Sequence, residues 1–167
     1  MKTFQRVADF IAPKTMNFVI SIDKAGNITE REGRIASADI SDLGYGGMIV
    51  LSTDVNIGGS GLKGKIKNLA RTFVQRWFKD KLVDEEISKY IKEKKIETGW
   101  SIGNLFKGRY YSPKIDATFN EKSFSIDIRG AEFDFVKEVA KKIGKRFKQE
   151  SVLIINHETG KSSLLFP

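Results

Sequence analysis

Cysteine is absent from this 167-residue chain, which excludes a disulfide framework and any thiolate metal site and suits a reducing compartment such as the cytoplasm. A single histidine, His157, leaves too few imidazoles for a histidine-based metal cluster or a readily assembled Ser/His/Asp triad. Three prolines are spread too thinly for a proline-rich linker. Long apolar runs are missing as well. Met1 to Lys14 alternates apolar with polar residues, so it reads neither as a signal peptide nor as a spanning helix, and no membrane role is expected. Acids are fewer than bases: 21 Asp and Glu face 29 Lys and Arg, a net charge of +8 that attracts polyanions.

What is present is core material. Apolar residues make up 40% of the chain and twelve are Phe, enough to offset the chain entropy that leaves polar chains disordered. A chain of this length buries about two thirds of its unfolded surface as one domain. No internal repeat or linker suggests a second, so residues 1–167 are expected to form a single α+β domain.

Periodicity fills in the elements. Thr3 to Ile11 has helical spacing, stopped by Pro13, and Phe18 to Ile22 reads as a strand that hairpins through Asp23 to Asn27 onto an extended segment from Ile28. Ile35 to Ile40 alternates, and Met48 to Leu51 reads as a buried strand. Lys63 to Asp80 puts Ile66, Leu69, Ala70, Phe73, Val74 and Trp77 on one stripe of a helix. A second helix is expected from Asp84, as its cap, to about Lys95. Ile115 to Phe119 and Phe124 to Ile128 alternate around Asn120-Glu121, which predicts a hairpin. Ala131 to Lys148 predicts a strong amphipathic helix with Phe133, Val136, Val139, Ala140, Ile143 and Phe147 inward. Val152 to Ile155 and Ser163 to Phe166 then flank a turn at His157 to Gly160, where His157 is expected to be an exposed turn residue. Antiparallel hairpins packed against two or three longer amphipathic helices, ending in a ββαββ unit, are the fold expected.

Three constellations carry possible chemistry. Gly59-Ser-Gly-Leu-Lys-Gly64-Lys65 fits the phosphate-binding loop spacing G-x-x-x-x-G-K, but Ile66 stands where a magnesium-binding hydroxyl belongs. Anion contact without hydrolysis is the expectation there. Pro113-Lys-Ile-Asp116 followed by Asp127-Ile-Arg129, then helix and strand, looks similar in order to the PD-(D/E)xK nucleases. If Phe119 pairs with Lys122, then Asp116, Ser125, Asp127 and Arg129 share a polar face on which two carboxylates can hold magnesium. Arg129 replaces the lysine of that pattern and cannot act as a base near neutral pH.

The third constellation is distributed. Lys63, Lys65, Lys67, Arg71, Arg76, Lys79 and Lys81 decorate the first long helix, and Lys137, Lys141, Lys142, Lys145, Arg146 and Lys148 the last. Between them Trp100 to Tyr111 mixes cations, aromatics and glycines, a composition that lets bases stack beside a tracked backbone; Trp100 and Phe106 are expected to be buried.

These features rank a small, basic, non-enzymatic nucleic-acid-associated protein first. Lys63, Lys65, Lys67 and Arg71 would meet phosphates, and Lys107, Arg109, Tyr110 and Tyr111 would offer a stacking surface, with no cofactor and no catalytic residue assigned. The sequence leaves DNA against RNA, single against double strand, and oligomeric state open. An inhibitor or modulator of a nucleic-acid-processing host factor, of mobile-element type and acting on an acidic protein partner, is the alternative. A divergent metal-dependent nuclease is the second.

Overall fold

The computed structural model describes residues 16–22, 28–32, 46–55, 61–96, 98–112 and 117–167. The predicted helix at Thr3 to Ile11, the segment Ile35 to Ile40, and Asp116 lie outside the described residues. In chain order the elements are β1 (Met16–Ile22), β2 (Ile28–Glu32), β3 (Gly46–Ser52), α1 (Gly61–Trp77), α2 (Lys79–Lys94), β4 (Gly99–Ile102), β5 (Phe106–Ser112), β6 (Ala117–Arg129), α3 (Phe133–Arg146), β7 (Val152–Asn156) and β8 (Ser162–Leu165). The fold is α+β.

Among the described residues eight strands join one sheet in the order β2-β1-β5-β6-β3-β7-β8, with β4 also pairing β6. Every pairing is antiparallel except β1 with β5. The expected β1–β2 and β7–β8 hairpins are present, and β6–α3–β7 keeps the expected C-terminal strand-helix-strand order.

The hairpin predicted around Asn120-Glu121 is not there. Chain β6 runs unbroken from Ala117 to Arg129, long enough for β5 and β4 to line up end to end along one of its edges while β3 takes the other. The apolar positions change parity at Asn120-Glu121, which imitates a reversal, but neither residue supplies the glycine that a tight two-residue turn favours. The antiparallel partner of this segment is β5, from Ser112↔Ala117 onward.

The core lies between one face of the sheet and helices α2 and α3. Ile49, Leu51, Phe124, Ile126, Ile128, Val152 and Ile154 meet Val83, Ile87, Val136, Val139, Ala140 and Ile143 there. Helix α3 buries the stripe its sequence announces, with Phe135 added and Phe133 half-buried. Gly47 lets it approach β3, since a Cβ there would stand 2.9 Å from Val136 Cγ1. Stacked Tyr90 and Phe135 rings, 5.3 Å apart, join α2 to α3. Helix α2 starts at Lys79 rather than at Asp84, whose carboxylate instead accepts a 2.7 Å hydrogen bond from Trp100 Nε1. Trp100 is accordingly half-buried, while Phe106 is buried as expected. No helix among the described residues is long and apolar enough to cross a membrane.

Candidate nucleic-acid interface

Helix α1 has its polar side inward. Its buried residues are Thr72, Gln75 and Arg76, and each has a partner in the 53–55 segment that follows β3. Thr72 Oγ1 accepts the Val55 amide at 2.9 Å, Gln75 Nε2 donates to the Thr53 carbonyl at 2.9 Å, and Arg76 Nε donates to Thr53 Oγ1 at 3.1 Å. Arg76, 1% exposed, also forms a salt bridge with Asp54. The Thr53 amide continues the sheet by donating to the Lys122 carbonyl at 2.9 Å. A buried guanidinium is tolerable only when paired and hydrogen-bonded, and here it is both.

The stripe Ile66, Phe73, Val74 and Trp77 therefore faces solvent. Leu62 is 67% exposed, Ile66 53%, Trp77 51% and Phe78, at the junction with α2, 51%. Helical spacing lines up Leu62, Ile66, Phe73 and Trp77 as one row and Lys63, Lys67 and Arg71, four residues apart, as the adjacent row. All three cations are exposed. Lys65 is exposed too, in the first turn but off that row. No Asp or Glu occurs between Gly61 and Trp77.

The positive character continues past the junction. Lys79 Nζ lies 5.5 Å from the centre of the Phe124 ring but is answered by Asp80 at 2.6 Å, so the continuation rests on the sheet. Lys122, two residues before Phe124 in β6, shares its sheet face and pairs in register with Lys107 of β5. The structure thus brings Lys107 to the side of the sheet that carries the α1–α2 junction. Lys107 is exposed and Arg109 half-buried. Tyr110 and Tyr111 belong to β5 opposite Phe119 and Thr118, but their side chains lie outside the described residues.

Helix α3 behaves differently from the expectation that its lysines join the patch. Lys137 pairs with Asp134 at 3.9 Å, Lys141 with Glu138 at 3.3 Å, and Arg146 with Glu85 and Glu86 of α2 at 3.6 and 3.4 Å. Lys142 Nζ sits 5.0 Å from the centre of the Tyr90 ring. These cations are largely answered within the fold.

Two titratable clusters occupy the other face of the sheet. Glu121 lies near Ser52, Asp54, Glu150 and Arg76, and burial, with Asp54 and Glu150 adding, pushes its carboxyl up to about 7 against the Ser52 hydrogen bond and the Arg76 charge. At the opposite end, His157 is fully buried, contrary to the exposed turn expected. Its amide donates to the Gly46 carbonyl at 3.1 Å and its Nε2 stands 3.1 Å from Asp127 Oδ1. Burial lowers the pKa of its ring below the ordinary value, Arg129 adding and Asp127 opposing. Asp127 also accepts from Arg129 Nε at 2.9 Å. Asp127, Ser125 and Arg129 do share one face, as the strand alternation required, but the Asp127 carboxylate is hydrogen-bonded to the Arg129 guanidinium through Oδ2, and its Oδ1 faces the His157 imidazole. No group of three metal-ligating side chains occurs among the described residues.

No protein-family profile and no curated protein matches the chain. Among solved structures it is similar to a phage SAM lyase in complex with S-methyl-5'-thioadenosine, at 19% identity over 80% of this chain and 97% of that one, with a TM-score of 0.45. A likeness at that level carries no argument about activity.

Proposed function

We propose that this protein is a small, basic, non-enzymatic nucleic-acid-binding accessory protein, working in a reducing interior such as the cytoplasm, with the outer side of α1 as its contact surface. One observation carries the reading: α1 holds Lys63, Lys65, Lys67 and Arg71 exposed to solvent and has no acid anywhere along its length. A cationic row without interleaved carboxylates attracts phosphates at long range and releases counterions on contact. Exposed Lys107, in register with Lys122, extends the same field toward the sheet.

The test is a fluorescence-anisotropy titration of labelled oligonucleotides at several salt concentrations. Engagement of about four phosphates gives a log–log slope near −3.6 for duplex and near −2.8 for a single strand. Absence of binding at low salt overturns the reading.

A second reading, docking on an acidic protein partner, is supported by Leu62 and Ile66, both more than half exposed at the basic end of α1. Capture of a stoichiometric protein that survives nuclease treatment favours it over the first.

A further inference from the structure

The outer face of α1 has two components, and phosphate attraction accounts for only one of them. Beside the Lys63–Lys67–Arg71 row runs an apolar row made of Leu62, Ile66, Phe73 and Trp77, and exposed Val74 and Phe78 continue the cationic row past Arg71. Together these side chains present several hundred Å² of apolar surface, the upper end of what a monomer leaves uncovered. Phe73 and Trp77 adjoin each other, their ring centroids 6.1 Å apart and tilted by 48°. Of the described exposed large apolar side chains, only Phe166 lies away from α1 and its junction.

We infer that α1 receives a single-stranded nucleic acid lengthwise, with its phosphates along Lys63, Lys67 and Arg71 and its unpaired bases against Ile66, Phe73 and Trp77. The inference rests on the nucleic-acid reading above and narrows its ligand. Four helical residues rise about 6 Å, so successive cations of the row are spaced close to the repeat of an extended strand. A strand laid along the helix has its charged backbone on one side and its base faces on the other, the same division that the two rows make. Aromatic side chains beside a cationic track are the general means by which proteins hold unpaired bases.

A duplex does not fit this face. Its bases are stacked within the helix and offer no open ring to Phe73 or Trp77. A helix reading the major groove needs hydrogen-bonding side chains aimed at base edges, where α1 offers Leu62, Ile66, Phe73 and Trp77. Pairing with a second copy would cover the apolar row but would bring Lys63, Lys67 and Arg71 of each copy alongside a helix that has no acid to receive them.

The test compares a labelled 16-nucleotide single strand with the duplex of the same sequence, using the intact chain and its Trp77→Ala and Phe73→Ala variants. Trp77 and Phe73 are partly exposed, and thermal unfolding of each variant verifies that the fold is retained. The single strand is expected to bind at least ten-fold more tightly than the duplex. Each variant is expected to weaken the single strand by roughly ten-fold while changing duplex binding little. Equal or tighter duplex binding, or single-strand binding indifferent to both variants, overturns the inference and leaves the broader nucleic-acid reading standing. Failure of both ligands at low salt, with sedimentation showing a dimer that Trp77→Ala dissolves, overturns both.

Discussion

Helices α1 and α3 are both amphipathic and rich in lysine, yet they are turned in opposite senses. Helix α3 buries its apolar stripe against β3 and β7 and spends its cations on ion pairs with Asp134, Glu138, Glu85 and Glu86. Helix α1 buries Thr72, Gln75 and Arg76 against the 53–55 segment and leaves its apolar stripe and its cations in solvent. The first is a structural helix with an ordinary solvated exterior. The second is anchored by hydrogen bonds and a buried ion pair, so that its apolar side is free to meet something else. Counting lysines does not separate the two; what lies opposite each lysine does.

The contrast can be broken at the anchor of α1. Arg76→Ala removes a buried guanidinium together with its bonds to Asp54 and Thr53 and is expected to cost about 3–5 kcal/mol in urea unfolding. A loss below about 1 kcal/mol would mean that α1 is held by other contacts.

Truncating the apolar stripes sharpens it. Ile143→Ala on α3 removes a fully buried side chain and is expected to cost about 2–5 kcal/mol. Ile66→Ala on α1 is expected to cost less than about 1 kcal/mol, because more than half of the residue is already in water. Comparable losses at the two positions would show that the outer face of α1 is covered in the isolated protein.

Near the same anchor, Glu121 makes stability depend on pH. With its carboxyl raised from 4.5 to about 7, the folded state holds more protons than the unfolded state between those values, so this group lowers stability as pH rises from 4.5 through 7. The full effect above pH 7 is at most about 3 kcal/mol, reduced by whatever solvent reaches the group. Glu121→Gln is expected to flatten that part of the stability profile; an unchanged slope would place the dependence elsewhere.

How far the sequence announced this molecule depends on whether a residue's fate is decided locally. The period of Ala131 to Lys148 marked α3 and its inward residues, because burial of the apolar stripe is the commonest outcome and α3 follows it. The stripe of α1 was equally visible, but its direction depends on Asp54 and Thr53, some twenty residues earlier, reaching Arg76 and Gln75. Periodicity gives a face, not which way it points. The complete absence of acid across Gly61 to Trp77 was the available hint. Lys63, Lys65, Lys67 and Arg71 were therefore legible as exposed cations, while Phe73, Trp77 and Phe78 were missed as the exposed aromatics near them. His157 was misplaced for a related reason: its burial follows from pairing with Gly46 and from the nearness of Asp127, which sequence separation conceals. The long β6 was mistaken for a hairpin because a change of parity looks the same in either case.

The account stands most directly on one paired titration. Lys63, Lys67 and Arg71 replaced together by Gln should weaken binding of a 16-nucleotide single strand by at least a hundred-fold at low salt, whereas Lys137, Lys141 and Lys145 replaced together should change it less than about three-fold. Equal losses from the two triple variants would mean that net charge alone holds the ligand, and that the outward face of α1 has no special part in it.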